Sequence, residues 1–487
     1  MDPFDLLLRG TLAYDIVGVA VRVAAIVIVP INRRPESAMA WLLAIFLIPY
    51  VGVIAFLLIG NPKLPARRRI QQRRANQLIL ERTAGMGGVP VDDPGPPWLA
   101  SVVELNRNLG AMPLVTGNHA TLIDGYADAL DQMTAAVDAA REEVHCEFYI
   151  AAYDDTTAPF FAALSAAVDR GVRVRFLYDH IGSARTPRYR RLVRELRRSG
   201  VEWRPMLPVQ PWRGRYQRPD LRNHRKLLVV DREVGFMGSQ NLIDRSYNKR
   251  SNRRRGLRWQ ELMVRLEGPV VDALEAVFLT DWASETGEEP DARVRVPDPA
   301  LAGSTLECQV VPSGPGFDDE NNLKLFNSLI YSAQRRVSIT SPYFVPDESL
   351  MHAVTTAAER GLDVELFVSE IGDQPLVFHA QRSYYGQLLR AGVRIYRYPA
   401  PYILHAKHVT VDEDVAVIGS SNMDMRSFGL NMEVTLMVSG AEFASRLREV
   451  EDHYRAVSSE LTYDEHRRLP RRKRVVDNLA RLTSALQ

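Results

Sequence analysis

His224, Lys226 and Asp231 stand in the spacing HxKxxxxD, and Gly238-Ser239-x-Asn241 follows. These residue types suit chemistry at a phosphate. A histidine serves as nucleophile or general acid near neutral pH. A lysine brings a point charge to a phosphate oxygen. The aspartate can orient the imidazole and set its tautomer, and Ser239 and Asn241 can donate hydrogen bonds to non-bridging oxygens. The whole set recurs 181 residues later as His405, Lys407 and Asp412, then Gly419-Ser420-x-Asn422. Arg245-Ser246 and Arg426-Ser427 keep the same offset. So long a period reads as two copies of one domain rather than a solenoid. Two sets facing each other would give one nucleophile, one acid and two lysines around a single phosphate.

The elements that must position these groups are legible in the alternation. His224, Lys226 and Leu228 fall on one face of a strand, and Arg225, Leu227 and Val229 on the other. Residues 234–237 and 415–418 read as a second, buried strand ending at a Gly-Ser turn. Lysine usage also points to the motif. The chain has six lysines against 55 arginines, and Lys226 and Lys407 are two of the six.

The paired motifs resemble those of the phospholipase D superfamily. Longer segments narrow the resemblance to the bacterial cardiolipin synthases: RNHRK at 222–226, VVPSGP at 310–315, SPYFVPDE at 341–348 and SSNMDMRSFGLNMEV at 420–434. The resemblance covers nearly the whole chain. It implies an α/β fold of two duplicated phospholipase D-like domains behind an N-terminal membrane hairpin. It also implies a phosphatidyltransferase that joins two phosphatidylglycerol molecules into cardiolipin and glycerol through a phosphohistidine, with no cofactor. By the same resemblance a carboxylate after each motif, Glu261 or Glu433, lies near the opposite half's histidine. Glu433 matches the family pattern well, in Asn431-Met-Glu433. Glu261 departs from it, because family members often carry Asp there.

A chain of 487 residues allows two or three domains. A net charge of +2 carries no polyanion-binding signal. Cys146 and Cys308 lie far apart and read as small buried hydrophobes rather than a disulfide framework. Residues 38–60 hold no charge and are long enough to span a bilayer. Residues 11–31 form a weaker span, interrupted by Asp15 and Arg22. Lys63 and the arginines at 67–69, 73 and 74 mark the following flank as cytoplasmic and can hold anionic headgroups. The expected layout is a membrane anchor at 1–62, a basic juxtamembrane segment and linker at 63–98, a first catalytic domain at 99–284, a linker at 285–303, a second domain at 304–465 and a basic C-terminal helix at 466–487. Each domain shows a βαβ rhythm, with a helix at 157–170 and a strand at 172–178 in the first and a helix at 348–360 in the second.

His145 and His180 fall outside the repeat and read as structural. The parity of His408 matches Ala406, so it points away from the site. No His/Cys/Asp cluster has metal-ligand spacing. Residues 248–258 form a basic loop suited to lipid phosphates, and few aromatics interleave with its arginines, so nucleic acid is not an expected partner. In the tail, Val475, Leu479, Leu482 and Leu486 recur at helical spacing behind residues 471–474. Packing on a domain is expected of this helix, with a place on the membrane as the alternative. The expected setting is the bacterial cell membrane, with the catalytic domains cytoplasmic and phosphatidylglycerol and other anionic lipids as partners. The sequence leaves a homodimer open. Competing readings are a hydrolase using water as acceptor, another phosphatidyltransferase using phosphatidylethanolamine, a nucleic-acid phosphodiesterase, and a non-catalytic membrane scaffold.

Overall fold

The computed structural model describes residues 3–31, 33, 35–84, 95–213, 215–288 and 306–484. The linker expected at 285–303 lies almost wholly outside the described residues, as do residues 85–94 of the linker before the first domain. Two compact units divide the chain. One comprises Met1–Leu64 with Arg218–Asp220, and the other Pro65–Gln217 with Leu221–Gln487.

In the first unit, helices run over Pro3–Ile28, Pro35–Leu47 and Pro49–Ile59. The uncharged stretch 38–60 is therefore not the single continuous helix expected of it. Pro49 starts a new helix, and Ile48 sits at φ −137° and ψ 77°, outside the helical region. A proline disfavours helical geometry in the residue before it and removes a backbone donor. Among the described residues no helix is long and apolar enough to cross a membrane. Ala25, Val29, Ala38 and Ile45 form a small core with Trp41 and Phe56 packed on it. Ile16, Val23, Leu43, Leu47, Val51 and Leu57 are exposed. An apolar exterior on that scale marks an interaction surface.

The second unit is built on one 16-stranded sheet in which the duplication is explicit. From the centre outward, the first half orders its strands Leu114–Ile123, Met263–Glu267, Val234–Gly238, Lys226–Val230, Glu143–Phe148, Arg173–Asp179 and Glu202–Met206. The second half repeats that order with Leu306–Ser313, Asn431–Ser439, Val415–Gly419, His408–Val411, Arg336–Thr340, Asp363–Ser369 and Arg394–Tyr398. The halves join where Leu114–Ile123 pairs antiparallel with Leu306–Ser313. The fold is thus α/β with duplicated halves sharing one sheet.

Each half has its own apolar core. In the first, Val144, Cys146, Phe148, Val174, Phe176, Leu228 and Val230 pack against helices Tyr126–Ala139 and Ala158–Asp169. In the second, Val337, Ile339, Leu366, Val409 and Val411 pack against Asn321–Ser332, Glu348–Glu359 and Pro375–Ala391. Both cysteines are free and buried. The basic helix Ala66–Arg82 is tied to helix Val270–Thr286 by Arg68–Glu285 at 2.9 Å. The C-terminal helix Arg471–Arg481 packs on Pro375–Ala391, as expected, but through its polar face. Asp477 pairs with His379 at 2.7 Å and Arg382 at 3.5 Å, and Ala480 is buried. Val475, Val476, Leu479 and Leu482 are left exposed.

Candidate active site

Each motif histidine sits just ahead of its strand. The strands begin at Lys226 and His408, so the histidines lie in the two- or three-residue approach rather than inside the strand. That approach is fixed by the opposite half. Arg222–Asn223 pairs in parallel with Asn431–Met432, and the His224 amide donates to the Met432 carbonyl at 2.8 Å. Arg258–Gln260 pairs in parallel with Tyr402–Leu404, and the His405 amide donates to the Gln260 carbonyl at 2.7 Å. These two crossings set each histidine against the residue that follows the paired segment, Glu433 after Asn431–Met432 and Glu261 after Arg258–Gln260.

His224 Nδ1 lies 3.0 Å from both Glu433 carboxylate oxygens and 3.0 Å from the Ser420 carbonyl. His405 Nδ1 lies 2.9 and 2.8 Å from the two oxygens of Glu261. A carbonyl oxygen only accepts, so Nδ1 of His224 carries the hydrogen and Nε2 holds the free lone pair. The same reasoning assigns the Nδ1–H tautomer to His405, because Glu261 is ionised there. The Lys226 ammonium donates to the His224 carbonyl, and the Lys407 ammonium to the His405 carbonyl at 2.6 Å. All six side chains are buried.

The electrostatics of the two sets differ. Burial drives the His224 imidazole well below its usual pKa, and Lys226, Lys407 and His405 push it further. Burial lowers His405 too, but Glu261 opposes the shift. Burial alone would raise Glu261; His405 and Lys407 outweigh it and hold the carboxyl below the usual range. Glu433 is pushed by burial up to about 7, only partly offset by Lys226. Burial lowers Lys226 to about 7 and Lys407 to about 8. His224 is thus a neutral imidazole, while His405 rests on a carboxylate able to support an imidazolium. Because kcat/KM follows the free enzyme's ionisations, it is expected to fall as pH rises, first as His405 loses its proton and further through about 7 to 8, where the lysines lose theirs. A pH–rate profile in which kcat/KM stays level to pH 9.5 or so would contradict this.

Several expected roles are corrected by the geometry. Asp231 and Asp412 do not touch the imidazoles. Asp231 accepts from the amides of Arg141, Glu142 and Glu143 at 2.8, 2.8 and 2.9 Å. Asp412 accepts from Gln334, Arg335 and Arg336 at 2.8, 2.7 and 3.0 Å. Both aspartates have left-handed φ, 51° and 48°, at the turn closing the far end of the strand. There they pin the neighbouring strand's entry. Replacing either by Ala is expected to cost about 1–3 kcal/mol of stability, the scale of leaving backbone donors without a partner. The pH dependence of kcat/KM should stay in place. Denaturant midpoints beside pH–rate profiles read both quantities, and a shifted profile would restore the triad reading.

The serines and Asn241 are likewise committed within the protein. Ser420 Oγ donates to Glu433 at 2.5 Å. Ser239 Oγ lies on the Leu262 backbone, at 3.2 Å from its carbonyl, and also hydrogen-bonds Glu261. Asn241 accepts from the Ile150 amide at 3.0 Å and donates to the Tyr247 hydroxyl at 2.9 Å. Asn422 keeps a buried side-chain oxygen without a protein partner. Of the four, Ser239 and Ser420 therefore orient the glutamate of their own half, which orients the histidine of the other.

Sequence reasoning missed the aromatic walls and one asymmetric brace. Tyr149 packs edge-on to His224 at 4.8 Å and lies 5.4 Å beneath the Lys226 ammonium. Tyr247 and Tyr343 flank His405 at 6.4 and 6.5 Å. The brace is Arg225, whose Nε donates to the Glu433 carbonyl at 3.0 Å and whose guanidinium pairs with buried Asp281. Beside it, burial and Asp281 push the Glu147 carboxyl far up, and Asn223 donates to Glu147. At the repeat offset the second half has Leu404 and Ala406 instead. His145 pairs with Glu275, and His408 with Glu451 at 3.3 Å on the side away from the site. His180 meets the Val209 amide and Gln210 at 3.3 Å each.

Comparison with known proteins agrees with this geometry. The family model described as "Cardiolipin synthase, PLD-like domain" matches residues 133–282 and 326–454, and "Phospholipase_D-nuclease N-terminal" matches 19–61. Cardiolipin synthase A of Proteus mirabilis is 35% identical over 468 residues, covering 93% of this chain and 94% of that one. Cardiolipin synthase A of Pectobacterium carotovorum is 34% identical over 463 residues, covering 92% of each. Among solved structures, phosphatidylserine synthase of Haemophilus influenzae matches with a TM-score of 0.60 at 15% identity, covering 79% of this chain and 99% of that one, which is a likeness of fold.

Proposed function

The chain belongs to the cardiolipin synthase family of phospholipase D-like proteins, and on that footing we propose that its paired site moves a phosphatidyl group from one phosphatidylglycerol to the glycerol hydroxyl of another. It is a phosphatidyltransferase of the cardiolipin synthase type. The observation that carries the mechanism is the reciprocal pairing of His224 with Glu433 and His405 with Glu261 across the two halves. It makes one site out of two motifs.

In the proposed mechanism Nε2 of His224 attacks phosphorus while His405 protonates the departing glycerol oxygen. A phosphatidyl–histidine forms and glycerol leaves. The now neutral His405 then takes the proton from the incoming glycerol hydroxyl, the P–N bond breaks, and cardiolipin is released. Lys226 and Lys407 offset the charge on the equatorial oxygens. The neutral state of His224 and the carboxylate behind His405 favour this assignment of roles over its reverse. Asp231 and Asp412 serve the scaffold. Replacing Lys407 by Arg should lower kcat by about 10²-fold, the scale of losing one charge-stabilising donor, because a fork-shaped guanidinium does not fit where the buried ammonium meets the His405 carbonyl. Near-normal turnover in Lys407→Arg would show that any cation suffices.

The setting is read as a bacterial membrane, with residues 1–62 as the anchor and the catalytic halves on the cytoplasmic side. The apolar exterior of the N-terminal helices and the basic residues at 63–74 support it. The exposed Val475–Leu479–Leu482 stripe beside the basic residues 471–474 adds a second lipid-facing element. The test is a product assay in phosphatidylglycerol–detergent micelles without nucleotide or metal. Cardiolipin with equimolar glycerol is expected. Phosphatidic acid as the main product would make water the acceptor. No product would direct attention to other headgroups, phosphatidylethanolamine first.

A further inference from the structure

We propose that helix Arg471–Arg481 is an interfacial anchor, which lays Val475, Val476, Leu479 and Leu482 into the surface of an anionic bilayer and holds the second catalytic half against the lipids it consumes, a role that rests on the membrane setting proposed above.

The helix is turned the opposite way from an ordinary surface helix, which faces its apolar stripe inward. Here the residues buried against Pro375–Ala391 are Asp477 and Ala480. Asp477 is held by His379 at 2.7 Å and by Arg382 at 3.5 Å. The Arg481 guanidinium lies 4.6 Å over the Tyr384 ring, and the Ser484 hydroxyl is 3.3 Å from that of Tyr384. These contacts fix the rotation of the helix about its axis. At about 100° per residue, Val475, Val476, Leu479 and Leu482 then fall within about a third of the circumference, on the outer side. They are 56, 47, 59 and 80% exposed. Single exposed apolar residues are ordinary on a protein surface, but four on one stripe mark a binding face.

Charge decides what covers the stripe. Arg471, Arg472, Lys473 and Arg474 are all exposed. They occupy the first turn, where the positive end of the helix dipole disfavours cations, so the helix itself gains nothing from their place. With Arg481 the helix carries five basic residues against one acidic residue, Asp477, which is turned inward. An aliphatic stripe beside a basic cluster complements acidic headgroups above acyl chains. The long basic side chains reach the phosphates while the valines and leucines enter the boundary. Protein–protein hot spots draw instead on tryptophan and tyrosine, and the stripe has neither. The attraction also survives turnover. Two phosphatidylglycerols with one phosphodiester charge each give one cardiolipin with two, and the departing glycerol is neutral.

The test uses the full-length chain with Leu482→Cys carrying an environment-sensitive fluorophore. Cys146 and Cys308 are buried, so the added thiol takes the label. The protein is reconstituted in liposomes of phosphatidylcholine, alone or mixed with phosphatidylserine, an anionic lipid without a glycerol headgroup, and a quencher is carried on the lipid chains. A blue shift with quenching is expected in the mixed liposomes, weakened in phosphatidylcholine alone and by high salt, which screens surface charge. In the same mixed liposomes, Leu479→Glu with Leu482→Glu should raise KM for phosphatidylglycerol by about tenfold or more, the scale of burying one leucine. Its kcat and Tm should stay at wild-type values, because both side chains point to solvent. A fluorophore that stays water-exposed in both liposomes would overturn the proposal. A blue shift without quenching by the lipid-borne label would overturn it in favour of a second copy of the chain on the stripe. Equal quenching in both liposomes, unmoved by salt, would overturn the anionic assignment. The fluorescence reads no turnover, so absence of cardiolipin in the micelle assay bears on the transfer reaction and not on the anchor.

Discussion

His224→Ala is expected to lower cardiolipin formation by at least about 10⁴-fold, and His405→Ala to do the same. Losses of that size follow when one member of a unit that acts together is removed. The two residues sit in different halves, 181 positions apart, so two independent half-sites would leave substantial activity in each single variant. The structure argues against independence. Each imidazole is held by the other half's glutamate and by a main-chain bond to the other half's strand. The two variants should also differ in kind. With His405 gone, a substrate whose leaving group needs no proton should still transfer its phosphoryl group to His224. With His224 gone, no substrate should. Rescue of His224→Ala, and not of His405→Ala, by such a substrate would reverse the assigned roles. Both variants can be checked for folding by their unfolding transitions, since neither histidine belongs to either apolar core.

The second large effect falls on Glu261. Glu261→Gln is expected to reduce kcat by about 10²–10⁴-fold, the range seen when a carboxylate behind a catalytic imidazole loses its charge. Glu261 is the main influence raising the His405 pKa against burial. Its neutral replacement should therefore make the imidazolium harder to form. The limb of the pH–rate profile governed by that acid should move to lower pH, and a decrease in kcat with an unmoved profile would mean that Glu261 only fills space. Glu433→Gln should have the milder effect. Glu433 sits at about 7 and is already partly protonated at neutral pH, and the Ser420 carbonyl remains to hold the His224 Nδ1–H.

Much of this arrangement can be read from the sequence, and the reasons are physical. The repeated HxKxxxxD sets, the βαβ rhythm and the two buried strands are local patterns. Residues 157–170 read as a helix and form Ala158–Asp169; 348–360 reads as a helix and forms Glu348–Glu359; 172–178 reads as a strand and forms Arg173–Asp179. The role of the motif aspartates did not follow from spacing. The five strand residues Lys226–Val230 that lie between His224 and Asp231 span about 17 Å at 3.3–3.4 Å per residue, which takes Asp231 to the opposite end from His224. A triad template drawn from sequence order alone overlooks that distance. The pairing of each histidine with the other half's glutamate came only from resemblance, because it depends on two short parallel crossings that no local pattern announces.

The same limit applies elsewhere. Arg225 reads as the outward face of a strand, yet it is among the largest fully buried side chains, because the second half covers it and supplies the Glu433 carbonyl. The His145–Glu275 pair has no sequence spacing to detect, since Glu275 arrives on a helix from another part of the half. In the tail, the periodic apolar residues were expected to face a domain. The Asp477 pair with His379 and Arg382 turned the helix the other way.

One covalent phosphatidyl–enzyme is expected to form at a site shared by both halves. Headgroup exchange with isotopically labelled glycerol tests it most directly. If glycerol departs before the acceptor arrives, labelled glycerol must run the first step backwards and enter phosphatidylglycerol. Incorporation is expected in the wild-type protein, in step with cardiolipin formation, and in neither His224→Ala nor His405→Ala. Cardiolipin formed while the label stays wholly in free glycerol would contradict the account, because it would require both lipids to react in a single direct displacement.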